Sequence, residues 1–255
     1  MTRHIAAAYL CVSAAALAEI GAPRAGCVHQ GDGSLRALYG VAEVFVTGQA
    51  AQTGVVSAAC SERLVLAKTA RALELRDSEL RLQASWPAPR GEARFAFLAG
   101  GAAAIVYYAQ SGELLRVEAG REPQHLTHWD ALGDRILAIA SPAPGELAAV
   151  SHTAGGIRLA RVAMATGAVL DQVDLDGVAG PVALTAAGAL VYAQGDEAVL
   201  RRADGQEQRF PLPAQPAAMY VMGDEMVAIG LGQGRAPVAL KLRQGRALRI
   251  PGAAQ

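Results

Sequence analysis

Four short apolar runs recur along this chain about every 40 residues, and that period limits the possible folds more than any other feature. The clearest unit lies within Arg94–Val117, where Phe95–Leu98, Ala103–Tyr108 and Glu113–Val117 are separated by Gly-Gly and Gln-Ser-Gly. Each run has strand length and each break has turn chemistry. The second runs of five units align as Arg63–Leu66, Ala104–Tyr107, Leu147–Val150, Ala189–Tyr192 and Met226–Ile229. Their central residues, Val65, Val106, Val150, Val191 and Val227, stand 41, 44, 41 and 36 residues apart. Third runs follow at Ala72–Leu75, Leu114–Val117, Ile157–Val162, Val199–Arg202 and Val238–Leu242. Fourth runs follow at Leu80–Ala84, Pro123–Thr127, Val169–Leu175, Glu207–Leu212 and Ala247–Ile250.

A four-stranded sheet of this size cannot bury both faces alone. Stacked around an axis, each sheet covers the next, and closure hides the innermost edges. The expected fold is therefore all-β, a β-propeller of five or six four-stranded blades. A β-sandwich of ten or more strands is the competing arrangement, and the regular four-strand unit argues against it. The repeats span approximately 53–86, 93–128, 135–175, 181–212 and 217–250, with a part-unit at 26–48. In that part-unit, Cys27–His29, the turn Gly31-Asp32-Gly33 and Leu35–Tyr39 form a hairpin pattern, and Val44–Val46 adds a short third run.

The first 18 residues have the layout of an export signal. Arg3 and His4 form a basic start, Ile5–Leu17 is mostly apolar, and Ala16-Leu17-Ala18 offers a small-x-small cleavage pattern before Glu19. The apolar stretch is too short to cross about 30 Å of hydrocarbon as a helix, so a retained anchor is the weaker reading. The expectation is a signal peptide at 1–18 and one domain at 19–255, secreted or periplasmic, without a membrane span in the mature chain. Two cysteines then remain, Cys27 and Cys60, and an oxidising compartment favours a disulfide between them over two buried thiols.

The run Asp32-Gly33-Ser34-Leu35-Arg36-Ala37-Leu38-Tyr39-Gly40 resembles the outer-strand segment of an NHL repeat: a turn, an alternating strand and a glycine. With the 40-residue period, the chain is similar to exported bacterial β-propellers of the NHL and YVTN type. Gly48-Gln49-Ala50 stands where that family often carries Gly-Asp-Gly-Gly. The single Trp129-Asp130 dipeptide does not recur, so it is no WD40 signature. The resemblance implies the fold and carries no activity with it.

The 23 basic and 23 acidic residues balance, which leaves no basic footprint for nucleic acid. In propellers, ligands commonly meet loops at one face. Here those loops hold Trp86, Arg90, His128, Trp129, Asp130 and Asp176, the candidate binding residues. Tryptophan and arginine are common interface anchors, although the two tryptophans also suit packing between blades. His125, His128 and Asp130 form the densest group of metal-ligating types, but an H-x-x-H pair on a strand points to opposite faces. Cys27 and His29 share a strand face, and Asp171, Asp174 and Asp176 lack the spacing of an EF-hand loop. Gly230, Gly232 and Gly234 do not lead into a helix and read as a hairpin turn. Ser151 and His152 face opposite ways as strand neighbours, so they form no nucleophile–base pair. The expected function is non-catalytic binding of a protein, peptide or glycan partner by a monomer, with no cofactor and no catalytic or metal site. The alternative is a metal-dependent hydrolase or lyase using His128, Asp130 or Asp176 at the channel mouth.

Overall fold

A computed structural model describes residues 24–41, 44–129, 135–222, 226–232, 235 and 237–250. The expected signal peptide, Asp130 and Gly234 lie outside these residues. The described residues form 23 strands and no helix.

Blade 1 has three strands, β1 (Arg24–His29), β2 (Leu35–Val41) and β3 (Val44–Gln52). Blade 2 holds β4 (Val55–Cys60), β5 (Leu64–Thr69), β6 (Ala72–Asp77) and β7 (Leu82–Pro87). Blade 3 holds β8 (Ala93–Phe97), β9 (Ala103–Tyr108), β10 (Glu113–Glu118) and β11 (Gln124–His128). Blade 4 holds β12 (Ile136–Ala140), β13 (Glu146–His152), β14 (Gly156–Ala163) and β15 (Val169–Asp176). Blade 5 holds β16 (Val182–Leu184), β17 (Leu190–Gln194), β18 (Glu197–Arg201) and β19 (Glu207–Pro211). Blade 6 holds β20 (Pro216–Val221), β21 (Met226–Leu231), β22 (Val238–Lys241) and β23 (Arg246–Arg249). Within each blade consecutive strands pair antiparallel, as a meander.

The blades close a six-membered ring because each interface has its own apolar core. Ile105, Tyr107 and Trp129 of blade 3 pack on Ile136, Leu147 and Ala149 of blade 4. Comparable clusters join blades 2 and 3, 4 and 5, and 5 and 6. Blade 1 is covered on both faces: Leu35 and Ala37 meet Val65 and Ala67 of blade 2, while Leu38 meets Ala228 and Ala239 of blade 6. The second strands are deeply buried, as in β5, β9, β13 and β17, which is why their apolar runs stand out in the sequence. Burying a leucine or valine completely contributes about 1.5–3 kcal/mol, so these six cores carry the fold.

The ring closes at blade 1 with several devices. Cys27 and Cys60 are disulfide-bonded, with Cα atoms 6.1 Å apart, so the expected bridge ties β1 to β4. Cys60 also forms a parallel bridge to Met222, so the inner strands of blades 2 and 6 meet directly beside blade 1. Farther out, Gln52 at the end of β3 donates to Glu74 Oε1 at 3.2 Å. Arg76 Nη2 bonds Glu74 Oε2 at 2.7 Å and also the Gln52 side-chain oxygen. Arg76 Nη1 donates to the Leu80 carbonyl at 2.7 Å. The arginine and glutamate side chains are only 8% and 12% exposed.

Two expected runs shift. The fourth run of blade 2 was expected from Leu80, but β7 starts at Leu82. Leu80 instead occupies the turn with φ +65°, where its side chain enters the core between blades 1 and 2 and its carbonyl meets Arg76. The third run of the part-unit continues beyond Val46 and through Gly48 to Gln52. A Cβ at Gly48 would lie 3.1 Å from the Tyr39 ring, so this glycine permits close strand approach rather than ending the strand.

Candidate functional site at the channel mouth

The inner strands leave a central cavity of about 410 Å³, within the usual size range of ligand pockets. Alanines dominate much of its wall, including Ala58, Ala138 and Ala218, and their small side chains keep the axis open. Polar groups from four blades enter the same cavity, two of them from just ahead of β8 and β12. They are His29 of blade 1, Glu92 and Arg94 of blade 3, Arg135 of blade 4 and Tyr220 of blade 6.

Glu92 immediately precedes β8, and Arg135 immediately precedes β12, so both enter the mouth from equivalent positions in successive blades. Arg94 Nη2 donates to Glu92 Oε2 at 2.6 Å. Arg135 Nη2 stands 3.9 Å from the same oxygen. One carboxylate thus serves two guanidinium groups, and the cluster keeps a net positive charge. Arg94 Nε is buried and has no hydrogen-bond partner. A buried donor in this state favours an incoming acceptor, because leaving it unmatched costs about 1–3 kcal/mol.

Burial chiefly raises the Tyr220 pKa; Glu92 adds to that and Arg94 opposes it. The phenol therefore stays neutral and can donate a hydrogen bond. Its ring meets His29 edge-on at a centroid distance of 5.9 Å. His29 Nε2 is 2.9 Å from the Val55 carbonyl. A carbonyl only accepts, so Nε2 must carry the proton, and Nδ1 of a neutral ring is the acceptor. Ser57 Oγ accepts the Ala93 amide at 3.1 Å, which ties β4 to β8 at this end. The arrangement supplies fixed donors around an apolar tube, and its serine and histidine are each engaged by backbone.

Of the candidate binding residues, Trp86, Arg90, His128, Trp129 and Asp176 do not line this cavity, whereas His29, weighed with Cys27 as a metal ligand, does. Trp86 sits on β7 opposite Leu73 and packs, half-buried, against the core between blades 2 and 3. Trp129 is 5% exposed, packs between blades 3 and 4, and meets Tyr107 edge-on at 6.3 Å. Arg90 is exposed in the link before β8. His128 and Asp176 are exposed at the ends of the outer strands β11 and β15, on different blades. Among the described candidates, only His128 and Trp129 are brought together, as chain neighbours. Asp174 pairs with Arg158 at 2.7 Å and Asp171 with Arg161 at 3.8 Å, so these carboxylates hold strand arginines. Ser151 is buried and His152 exposed, in line with opposite strand faces. Among the described residues, no group of three or more His, Cys, Asp or Glu side chains converges as a metal site. No helix among them is long and apolar enough to cross a membrane.

No family model matches the sequence, and no curated protein sequence matches it either. Solved structures do match in shape. TolB from Acinetobacter baumannii superposes with a TM-score of 0.59 at 13% identity, over 86% of this chain and 59% of that one. The Pan2 WD40 domain of Neurospora crassa gives 0.53 at 11% identity, over 93% and 81%. Virginiamycin B lyase from Staphylococcus aureus gives 0.51 at 10% identity, over 91% and 85%. These proteins differ widely in their names while sharing a shape, so the likeness establishes the propeller fold and leaves activity to the site itself.

Proposed function

We propose that this chain is an exported, non-catalytic β-propeller of the NHL and YVTN type that binds a protein, peptide or glycan partner at its channel mouth. The observation that carries this reading is the convergence of His29, Glu92, Arg94, Arg135 and Tyr220, from four separate blades, on one cavity. Ring closure brings the four blades' contributions together, and although Tyr220 also packs on the core between blades 1 and 6, the four charged or imidazole groups belong to no interblade core. The mouth offers two guanidinium groups, a neutral phenol and an imidazole above an apolar tube, which suits a ligand with a polar, acceptor-rich end. The paired cysteines fit an oxidising compartment, and the leader-like first 18 residues supply the route there. The metal-dependent alternative loses support because His128 and Asp176 stand apart and away from the mouth.

Peptide and glycan arrays probed with the wild-type protein and with an Arg94→Ala/Tyr220→Phe variant test the proposal. Ligands held by the wild type should be lost or weakened about tenfold by the variant, an effect of about 1.4 kcal/mol. Ligands retained equally by both proteins would remove the channel mouth as the binding site.

A further inference from the structure

A second cavity of about 890 Å³ opens at the opposite end of the channel, where the inner strands finish. Loops from blades 2 to 6 surround it, and three arginines reach it from three different blades: Arg63, Arg202 and Arg243. Among the described residues, Glu62 is its only acidic lining residue. Small residues, among them Ala99, Gly100 and Ala186, make up much of the remaining wall and leave the basin wide.

Arg63, Arg71, Arg90, Arg202 and Arg235 are exposed and have no ion pair among the described residues, and of these Arg63 and Arg202 line the basin. Arg81, Arg116, Arg121, Arg158, Arg161, Arg201 and Arg209 each face a carboxylate within 4 Å. Arg201 shows the contrast most clearly, since it pairs with Glu207 at 2.9 Å while the next residue, Arg202, has no ion pair among the described residues. Arg63 likewise has none. Both backbones are fixed. Ser61 Oγ accepts the Arg63 and Leu64 amides at 3.2 and 3.0 Å and reaches the Gly101 carbonyl at 3.1 Å. Arg202 sits in a tight turn, its amide donating to the Gln206 carbonyl and its carbonyl accepting from Gly205, each at 2.9 Å. A concave wall with an excess of one charge focuses its field on the space it encloses.

We propose that this basin is a separate site for a small ligand carrying two or more phosphate groups, gripped by Arg63 and Arg202 with Arg243 at the rim. Guanidinium groups match phosphate oxygens in a two-pronged geometry, and arginines on separate blades favour an anion with more than one charged group. The site is independent of the channel-mouth reading and stands or falls separately.

The test is calorimetric titration of the mature protein with tripolyphosphate at low salt. The expected result is saturable one-to-one binding that Arg63→Ala/Arg202→Ala weakens at least about tenfold. Arg63→Lys/Arg202→Lys should also weaken it, because lysine keeps the charge and loses the fork. Orthophosphate should bind more weakly than tripolyphosphate, and Arg94→Ala at the other mouth should leave the affinity within about twofold. The proposal is overturned by no saturable binding, by an unchanged affinity in the alanine double variant, by full retention in the lysine variant, or by equal orthophosphate and tripolyphosphate affinities.

Discussion

Removing the Cys27–Cys60 bridge should destabilise the ring by about 3–4 kcal/mol. The bridge spans 33 residues of sequence. In the chain-entropy account, cross-linking a loop of that length takes about 12 cal/mol/K from the unfolded state, or close to 4 kcal/mol at room temperature. For a chain of this size, each kcal/mol corresponds to about 2–4 °C in melting temperature, so the midpoint should fall by about 10 °C. The assay is urea and thermal denaturation of wild type and Cys27→Ala/Cys60→Ala, with reduced wild type as a second comparison. The loss should also have an address. Amides of β1 to β3 should gain exchange well before those of β12 to β15, because the bridge holds blade 1 and the interior blades keep both neighbours. A loss below about 1 kcal/mol, or faster exchange spread evenly over all blades, would refute the view that this bond secures the seam.

Further outcomes follow from the same structure. Arg76→Ala should cost about 3–5 kcal/mol in urea unfolding by stranding the buried Glu74, whereas Glu74→Leu/Arg76→Met together should cost much less. Lys68 is wholly buried, its ammonium held by the Thr69 carbonyl at 2.5 Å, and burial lowers its pKa; Lys68→Met should raise the urea midpoint by about 1 kcal/mol equivalent. Burial pushes the Tyr108 phenol up to about 12 and raises Tyr192 and Tyr220 as well. The neutral phenols are thus the form the fold prefers: stability is intact below about pH 10 and falls as the pH climbs towards 12, with phenolate absorbance rising late. Gly156→Ala should unfold blade 4 locally, seen as rapid amide exchange in β15, because a Cβ there would overlap the Leu175 carbonyl oxygen.

The sequence makes the blades plain and the mouth obscure, for physical reasons. Second strands are buried on both faces, so they appear as continuous apolar runs such as Ala104–Tyr107 and Leu147–Val150. The innermost strands are short and mixed: β16 has three residues, and β8 carries Arg94 beside Ala93 and Phe95. Alignment of the other runs therefore leaves most inner strands unassigned, and the channel residues lie on or directly before them. Glu92 and Tyr220 are far apart in sequence, and only closure of the ring makes them neighbours. One clue was available: Glu92 and Arg135 occupy the same place in successive units, just ahead of the inner strand. The tryptophans misdirect attention, because a large ring inside a loop-like stretch looks like an anchor when it is filling space between twisted sheets. The disulfide was legible, since the expected loss of the first 18 residues would leave two cysteines and therefore one pairing.

Photo-cross-linking in the native compartment addresses the proposed role most directly. A photoreactive residue replaces Ala217, which lines the channel cavity, and in a separate protein replaces Leu170 on the exposed outer strand β15. A partner held at the mouth predicts an adduct from position 217, its loss on adding Arg94→Ala/Tyr220→Phe, and none from position 170. Adducts from position 170 without any from 217 would contradict the account.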